Sequence, residues 1–260
     1  MLAAWLALAL GSCARREEAP PLALAIGQEP GARIEAAARV RVLGVRGAAR
    51  EAFERGEVEL FVGNLTEFLR SARHGGRTAR VLAARQGSDA LCVLARPDIE
   101  RAIELKGRSV GLDPDQDGWI ALRQLLSTAG LELADVRIAR LDRELFRGEL
   151  DSGALDAFVQ EGRAHEAAFE LRELVPERGA PLVWSVLVGS TELAQAQPQR
   201  LERLLAALAP EPLPGEERAL LRAHLHALEQ ELVAQGELIG PTGGADALDA
   251  AGSSLRRLDG

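Results

Sequence analysis

The sequence predicts an α/β protein built of two similar lobes, on three observations. Short strand-like runs alternate with helix-like segments, the pattern of parallel βαβ units. The runs are uniformly apolar rather than alternating, as in sheets covered on both faces. Finally, Phe53–Val62 is echoed by Glu149–Val159: each reads as a helix, a glycine (Gly56, Gly153), a small or apolar residue, an acid and a strand. Two such units fit two lobes of similar build.

In chain order, Leu22–Ile26 is a strand, Ile34–Arg39 a turn or two of helix, and Val40–Val45 a strand. Ala48–Arg55 is a helix closed by Gly56. Val58–Gly63 is a strand, and Asn64 is placed to cap a helix over Leu65–Ala72 that Gly75-Gly76 ends. Val81–Ala84 and Ala90–Ala95 read as two strands, and Pro97-Asp98 opens a helix over Ile99–Leu105. Ser109–Leu112 is a strand. Asp117 caps a helix over Trp119–Ala129, with Gly130 just past its end. Val136–Ala139, Leu155–Val159 and Val183–Val188 are strands, the last of these the final one, and Arg143–Leu150 is a helix. The tail is helical over Pro198–Leu208, Glu216–Gln235 and Ala245–Leu258.

The bulk numbers exclude some functions. The formal charge of −8 disfavours a nucleic-acid partner, which requires a basic surface. Aromatic residues make up 3% of the chain and none is Tyr, so a ligand cage of stacked rings is not expected. Cys13 and Cys92 are the two cysteines, one near the N-terminus and one in an apolar run, and no disulfide is expected between them.

Leu2–Leu10 is apolar, too short to span a bilayer and the right length for the core of a signal peptide. It runs into Leu10-Gly11-Ser12-Cys13, which resembles the lipobox of bacterial lipoproteins. The reading is a signal peptide over residues 1–12, lipidation of Cys13 and a tether over 13–21. No charged residue precedes the apolar run, a departure from the usual basic start.

Leu105-Lys106-Gly107-Arg108-Ser109-Val110-Gly111-Leu112 is similar to a segment of periplasmic solute-binding proteins of ABC importers. The two glycine–acid units resemble elements of the nitrate, sulfonate, taurine and thiamine-precursor branch. Gly87-Ser88-Asp89-Ala90-Leu91 and Leu126–Leu131 fall in the matching order. The resemblance covers about Leu22 to Ala209. It implies a two-lobed periplasmic-binding-protein-like (type II) fold with a helical C-terminal tail. Lobe one would be 22–88 plus 187–260 and lobe two 89–186, with ligand enclosed between them. Two segments depart from the family: Gln28-Glu29-Pro30-Gly31 leads into a short Ala-rich stretch, and Gln160-Glu161-Gly162 stands where the family often has Trp-Glu-Pro. The ligand class is therefore not carried over.

In α/β sheets, ligands bind beyond the carboxyl ends of strands, where helix N-termini present unpaired N–H groups. That places Gln28, Glu29, Asn64, Leu65, Thr66, Asp117, Gly118, Trp119, Gln160 and Glu161 at the candidate cleft, with Asp89 from the matching Gly87–Leu91 segment. Asn64 serves equally as a donor to ligand or as a plain helix cap. Trp119 either lines the cleft or packs under the hinge. The acids Glu29, Asp113, Asp115, Asp117 and Glu161 repel an anion unless Arg46 or Arg163 compensates, so a neutral or cationic nitrogenous ligand is as good a reading as an oxyanion.

Asp113-Pro114-Asp115-Gln116-Asp117-Gly118 matches the start of a calcium loop, but Gln124 stands where the bidentate Glu is needed. The plainer reading is an Asp-rich turn capping a helix. Cys92 reads as a buried thiol, and His224 and His226 do not share a helix face. No metal, cofactor or catalytic constellation is predicted. The expected function is an extracytoplasmic, periplasmic, lipid-anchored protein that captures a small organic or oxyanion ligand and passes it to an ABC permease in the inner membrane. The alternatives are a cytoplasmic enzyme of menaquinone or thiamine-precursor synthesis on the same fold, and a ligand-sensing interaction module.

Overall fold

The computed structural model describes residues 22–26, 38–43, 47–74, 78–114, 117–161, 171–174, 182–209, 211–234, 236, 238 and 255–257. The signal-like segment, Cys13, Gln28 and Glu29 lie outside them.

The first sheet is mixed. Strand β1 (Ala23–Ile26) pairs in parallel with β2 (Arg39–Val42) on one side and β3 (Leu60–Gly63) on the other. The expected helix over Ile34–Arg39 lies mostly outside the described residues, and Arg39 itself opens β2. Helix α1 (Ala48–Glu54) ends at Gly56, whose φ of 75° only glycine adopts without strain. Helix α2 (Leu65–His74) follows β3 directly.

The two strands expected at Val81–Ala84 and Ala90–Ala95 are one, β4 (Ala79–Ala95). The polar stretch between them reads as a break but stays extended, because it is hydrogen-bonded to a neighbour, with register shifts between Val81 and Ala83 and between Gln86 and Ala90. A helix over Ile99–Leu105 does not form; only a 3-10 turn at Ala102–Leu105 does. The Glu104 carboxylate accepts from the Glu100 and Arg101 amides, and Gly107 has φ 74°, so both ends are fixed one turn apart.

The second sheet repeats the first. Strand β5 (Ser109–Leu112) pairs in parallel with β6 (Arg137–Arg140) and β7 (Ala157–Glu161). Helix α3 (Gly118–Thr128) links β5 to β6 and stops before Gly130, φ 70°. A 3-10 turn at Arg143–Leu145 leads into α4 (Phe146–Asp151), which packs closely over Gly111. Strand β8 (Arg172–Leu174), not foreseen in the sequence, pairs with the end of β4.

The echo between the two units has a physical basis. The Glu59 carboxylate accepts from the amide of Ala23, the first residue of β1, at 2.7 Å. The Asp156 carboxylate accepts from the amide of Ser109, the first residue of β5, at 2.9 Å. Each acid thus ties the start of one parallel strand to the approach of the next.

Strand β4 joins the two sheets. Its first half pairs antiparallel with β9 (Leu182–Ser190), which also pairs with β3. Its second half, Leu91–Ala95, pairs antiparallel with β7. Helices α5 (Thr191–Ala196), α6 (Pro198–Leu208) and α7 (Gly215–Ala234) follow. Val183–Val188 is not the final strand: β10 (Glu211–Pro212) pairs with β11 (Arg256–Arg257), which adds to β4 where a helix was expected.

The stripe Leu221, Leu225, Leu228 and Leu232 buries one face of α7 against both α2 and α3. These leucines share a core with Phe61, Phe68, Trp119, Leu122 and Trp184. A separate cluster joins Leu24, Leu60, Leu82 and Leu187 to Leu201, Leu204 and Leu205 of α6 on the other face of the first sheet.

Candidate functional site

The N-terminus of α2 meets the N-terminus of α3 where the two sheets adjoin. Asn64 caps α2: its carboxamide Oδ1 accepts from the Glu67 amide at 2.8 Å, and the Glu67 carboxylate accepts from the Asn64 amide at 3.0 Å. This is a reciprocal capping box. The Asn-x-x-Glu spacing signals it in the sequence, although Glu67 was not among the candidates. Gly63 is required beside it, because a Cβ there would overlap the Glu67 carboxylate.

Asp117 occupies the N-cap position of α3 but makes no side-chain cap on its own helix. The capping role expected of it is therefore corrected. Its carboxylate reaches the other helix instead: Oδ1 accepts from the Thr66 amide at 2.9 Å and the Thr66 hydroxyl at 2.8 Å, and Oδ2 accepts from the Leu65 amide at 3.3 Å. Thr66 is 0% exposed and Asp117 3%. The physical reason is the dipole of α2, whose N-terminal N–H groups attract a carboxylate wherever in the chain it comes from. Sequence spacing shows which helix an acid precedes, not which helix faces it.

Trp119, in the first turn of α3, is 1% exposed and belongs to the core. Its indole N–H has no hydrogen-bond partner among the described residues, and the Arg140 guanidinium lies 5.6 Å from its ring centroid. Gly118 is buried between Leu112 and Val159, where a side chain would crowd both. Asp113 is buried at the end of β5. Gln160 lies on β7 opposite Cys92 of β4, half-buried. Cys92 itself is buried and donates to the Glu173 carboxylate at 3.2 Å. Of the candidates, the structure thus brings together Asn64, Leu65, Thr66, Asp117, Gly118 and Trp119. The side chains of Asp89 and Glu161, and residues Asp115, Gln116 and Arg163, lie outside the described set.

Among the described residues, no group of three or more His, Cys, Asp or Glu could hold a metal ion. A cavity of about 400 Å³ lies away from this junction, against α6, between Arg80, Leu82, Leu201, Leu205 and Arg256.

Solved structures share this architecture. A periplasmic sulfonate-binding protein from Methylobacillus flagellatus KT superposes with a TM-score of 0.66 at 12% identity, covering 87% of this chain and 90% of that one. The aliphatic sulphonate-binding protein of Escherichia coli gives 0.59 at 15% identity, covering 85% and 94%. The alkanesulfonate-binding protein of Xanthomonas axonopodis pv. citri, bound to MOPS, gives 0.55 at 16% identity, covering 89% and 84%. No curated protein matches the chain in sequence. The family model described as NMT1/THI5 like matches residues 45–210, more than half of the chain, which therefore belongs to that family.

Proposed function

We propose that this chain is an extracytoplasmic solute-binding protein that captures a small organic or oxyanion ligand between two lobes and delivers it to the permease of an ABC importer. The observation that carries this reading is the meeting of the α2 and α3 N-termini, through Thr66 and Asp117, where the two sheets threaded by β4 adjoin. Ligands of two-sheet proteins are held at such a junction, and lobe closure follows from contacts made only in the closed state. Family membership and likeness to sulfonate-binding periplasmic proteins support it. Lobe one is read as residues 22–88 plus 187–260 and lobe two as 89–186. Asn64, Leu65, Thr66, Asp117, Gly118 and Gln160 are read as cleft residues, with Gln28, Glu29, Asp89 and Glu161. Trp119 is read as supporting the cleft from the core side. The lipobox-like Leu10–Cys13 supports a lipid anchor.

The test is a thermal-shift panel on soluble protein beginning at Ala14, against sulfonates, nitrate, pyrimidines, amines and calcium. A true ligand at about 100 times its dissociation constant adds about 2.7 kcal/mol. A shift with one organic or oxyanion class supports capture; a flat response to all of them rejects it. Incorporation of labelled palmitate, lost in Cys13→Ser, tests the anchor separately.

A further inference from the structure

The first four amides of a helix have no partner within it, and at the start of α2 they belong to Asn64, Leu65, Thr66 and Glu67. Asn64 donates to the Glu67 carboxylate, Leu65 and Thr66 donate to Asp117, and Glu67 donates to the Asn64 carboxamide. The Thr66 hydroxyl also goes to Asp117. The site that would receive an oxyanion is therefore filled by a carboxylate from the chain itself. The carboxylate comes from a different helix and gives up the cap of its own to reach it. It is almost wholly removed from water, so an incoming anion finds neither a free amide nor a solvated place at the N-terminus of α2. Glu67, buried in the same turn, adds a carboxylate rather than a compensating cation.

We infer that Asp117 is a built-in anion that determines specificity, occupying the oxyanion place at the N-terminus of α2 so that this cleft rejects sulfonate and nitrate and takes a ligand without such a group there. The inference deepens the solute-binding reading and rests on it for the word ligand. The occupancy of α2 by Asp117 can be tested without it.

The experiment compares wild type with Asp117→Ala in the presence of acetate, methanesulfonate and nitrate, reading the melting temperature. Removing the carboxylate lowers the melting temperature by several degrees, and a small anion entering the vacated place restores it in a concentration-dependent way. Wild type stays unmoved by the same salts, with sodium chloride as the ionic-strength control. The inference is overturned if Asp117→Ala is folded and no small anion stabilises it beyond chloride. It is equally overturned if wild type binds methanesulfonate or nitrate in equilibrium dialysis, an arm that needs no variant and decides even if Asp117→Ala fails to fold. If wild type responds to no compound of any class while Asp117→Ala is rescued by acetate, the transport reading fails and the built-in anion stands.

Discussion

The indole N–H of Trp184 donates to Nδ1 of His224 at 3.0 Å, tying strand β9 to helix α7. The bond requires a neutral imidazole with its proton on Nε2. Burial lowers the His224 pKa below the ordinary imidazole value of 6.5. The unfolded chain therefore takes up a proton first as pH falls, and stability present above pH 6.5 is lost on the way down through the folded-state pKa. Urea midpoints measured from neutral pH downward should decline through this window. His224→Ala should flatten that part of the profile, at a cost of about 1 kcal/mol at neutral pH. An unchanged slope in the variant would mean that another group carries the dependence.

Glu59 and Asp156 are matched positions, each accepting the first amide of a parallel strand. Replacing either by Ala leaves a strand amide without its acceptor, and each loss should cost about 1–3 kcal/mol in urea unfolding. Glu59→Gln and Asp156→Asn keep an acceptor oxygen and should recover a large part of it. Two unequal effects would show that the echo in sequence is not an echo in energetics.

Gly189 packs between Leu82 and Leu60, and a Cβ there would stand 2.7 Å from Leu82 Cδ1 and 2.8 Å from Leu60 Cδ2. Gly189→Ala should destabilise by about 1–3 kcal/mol through overpacking. Leu82→Ala opens space on the same spot, so the double variant should be less destabilised than the sum of the singles. Strict additivity in a double-mutant cycle would place the strain elsewhere.

The capping box gives a fourth expectation. Asn64→Ala removes the acceptor of the Glu67 amide and should cost about 0.5–2 kcal/mol by chemical denaturation. Asn64→Asp keeps that acceptor but sets a third carboxylate at a helix start that already holds Asp117 and Glu67, so it should recover less than a cap alone would.

The sequence made much of the parallel portion legible, because β1, β3, β5 and β7 are apolar runs followed or preceded by glycine and helix signals. Helix α6, Pro198–Leu208, is set by Pro at its first position and a leucine stripe. What stayed hidden depends on partners distant in the chain. The polar stretch of β4 is extended because β9 lies beside it, and β8 and β11 are strands only because β4 offers them an edge. At the site, Asn64 and Thr66 were legible as residues at a strand end. Asp117 was legible as a residue but not as a partner, since nothing local distinguishes a carboxylate that caps its own helix from one that caps another.

The place of β9 in the first sheet has a consequence for synthesis. It lies between β3 and β4, strands that leave the ribosome well before it does. Until Leu182–Ser190 emerge, the facing edges of β3 and the first half of β4 have no mate, whereas β5, β6 and β7 can already pair with one another. The nascent chain therefore carries two open, apolar strand edges from the completion of β4 until Leu182 emerges, the kind of surface that recruits a stray strand from another copy. A holdase that binds the chain before residue 182 and leaves after residue 190 would protect the interval in which the sheet begun first is still unfinished.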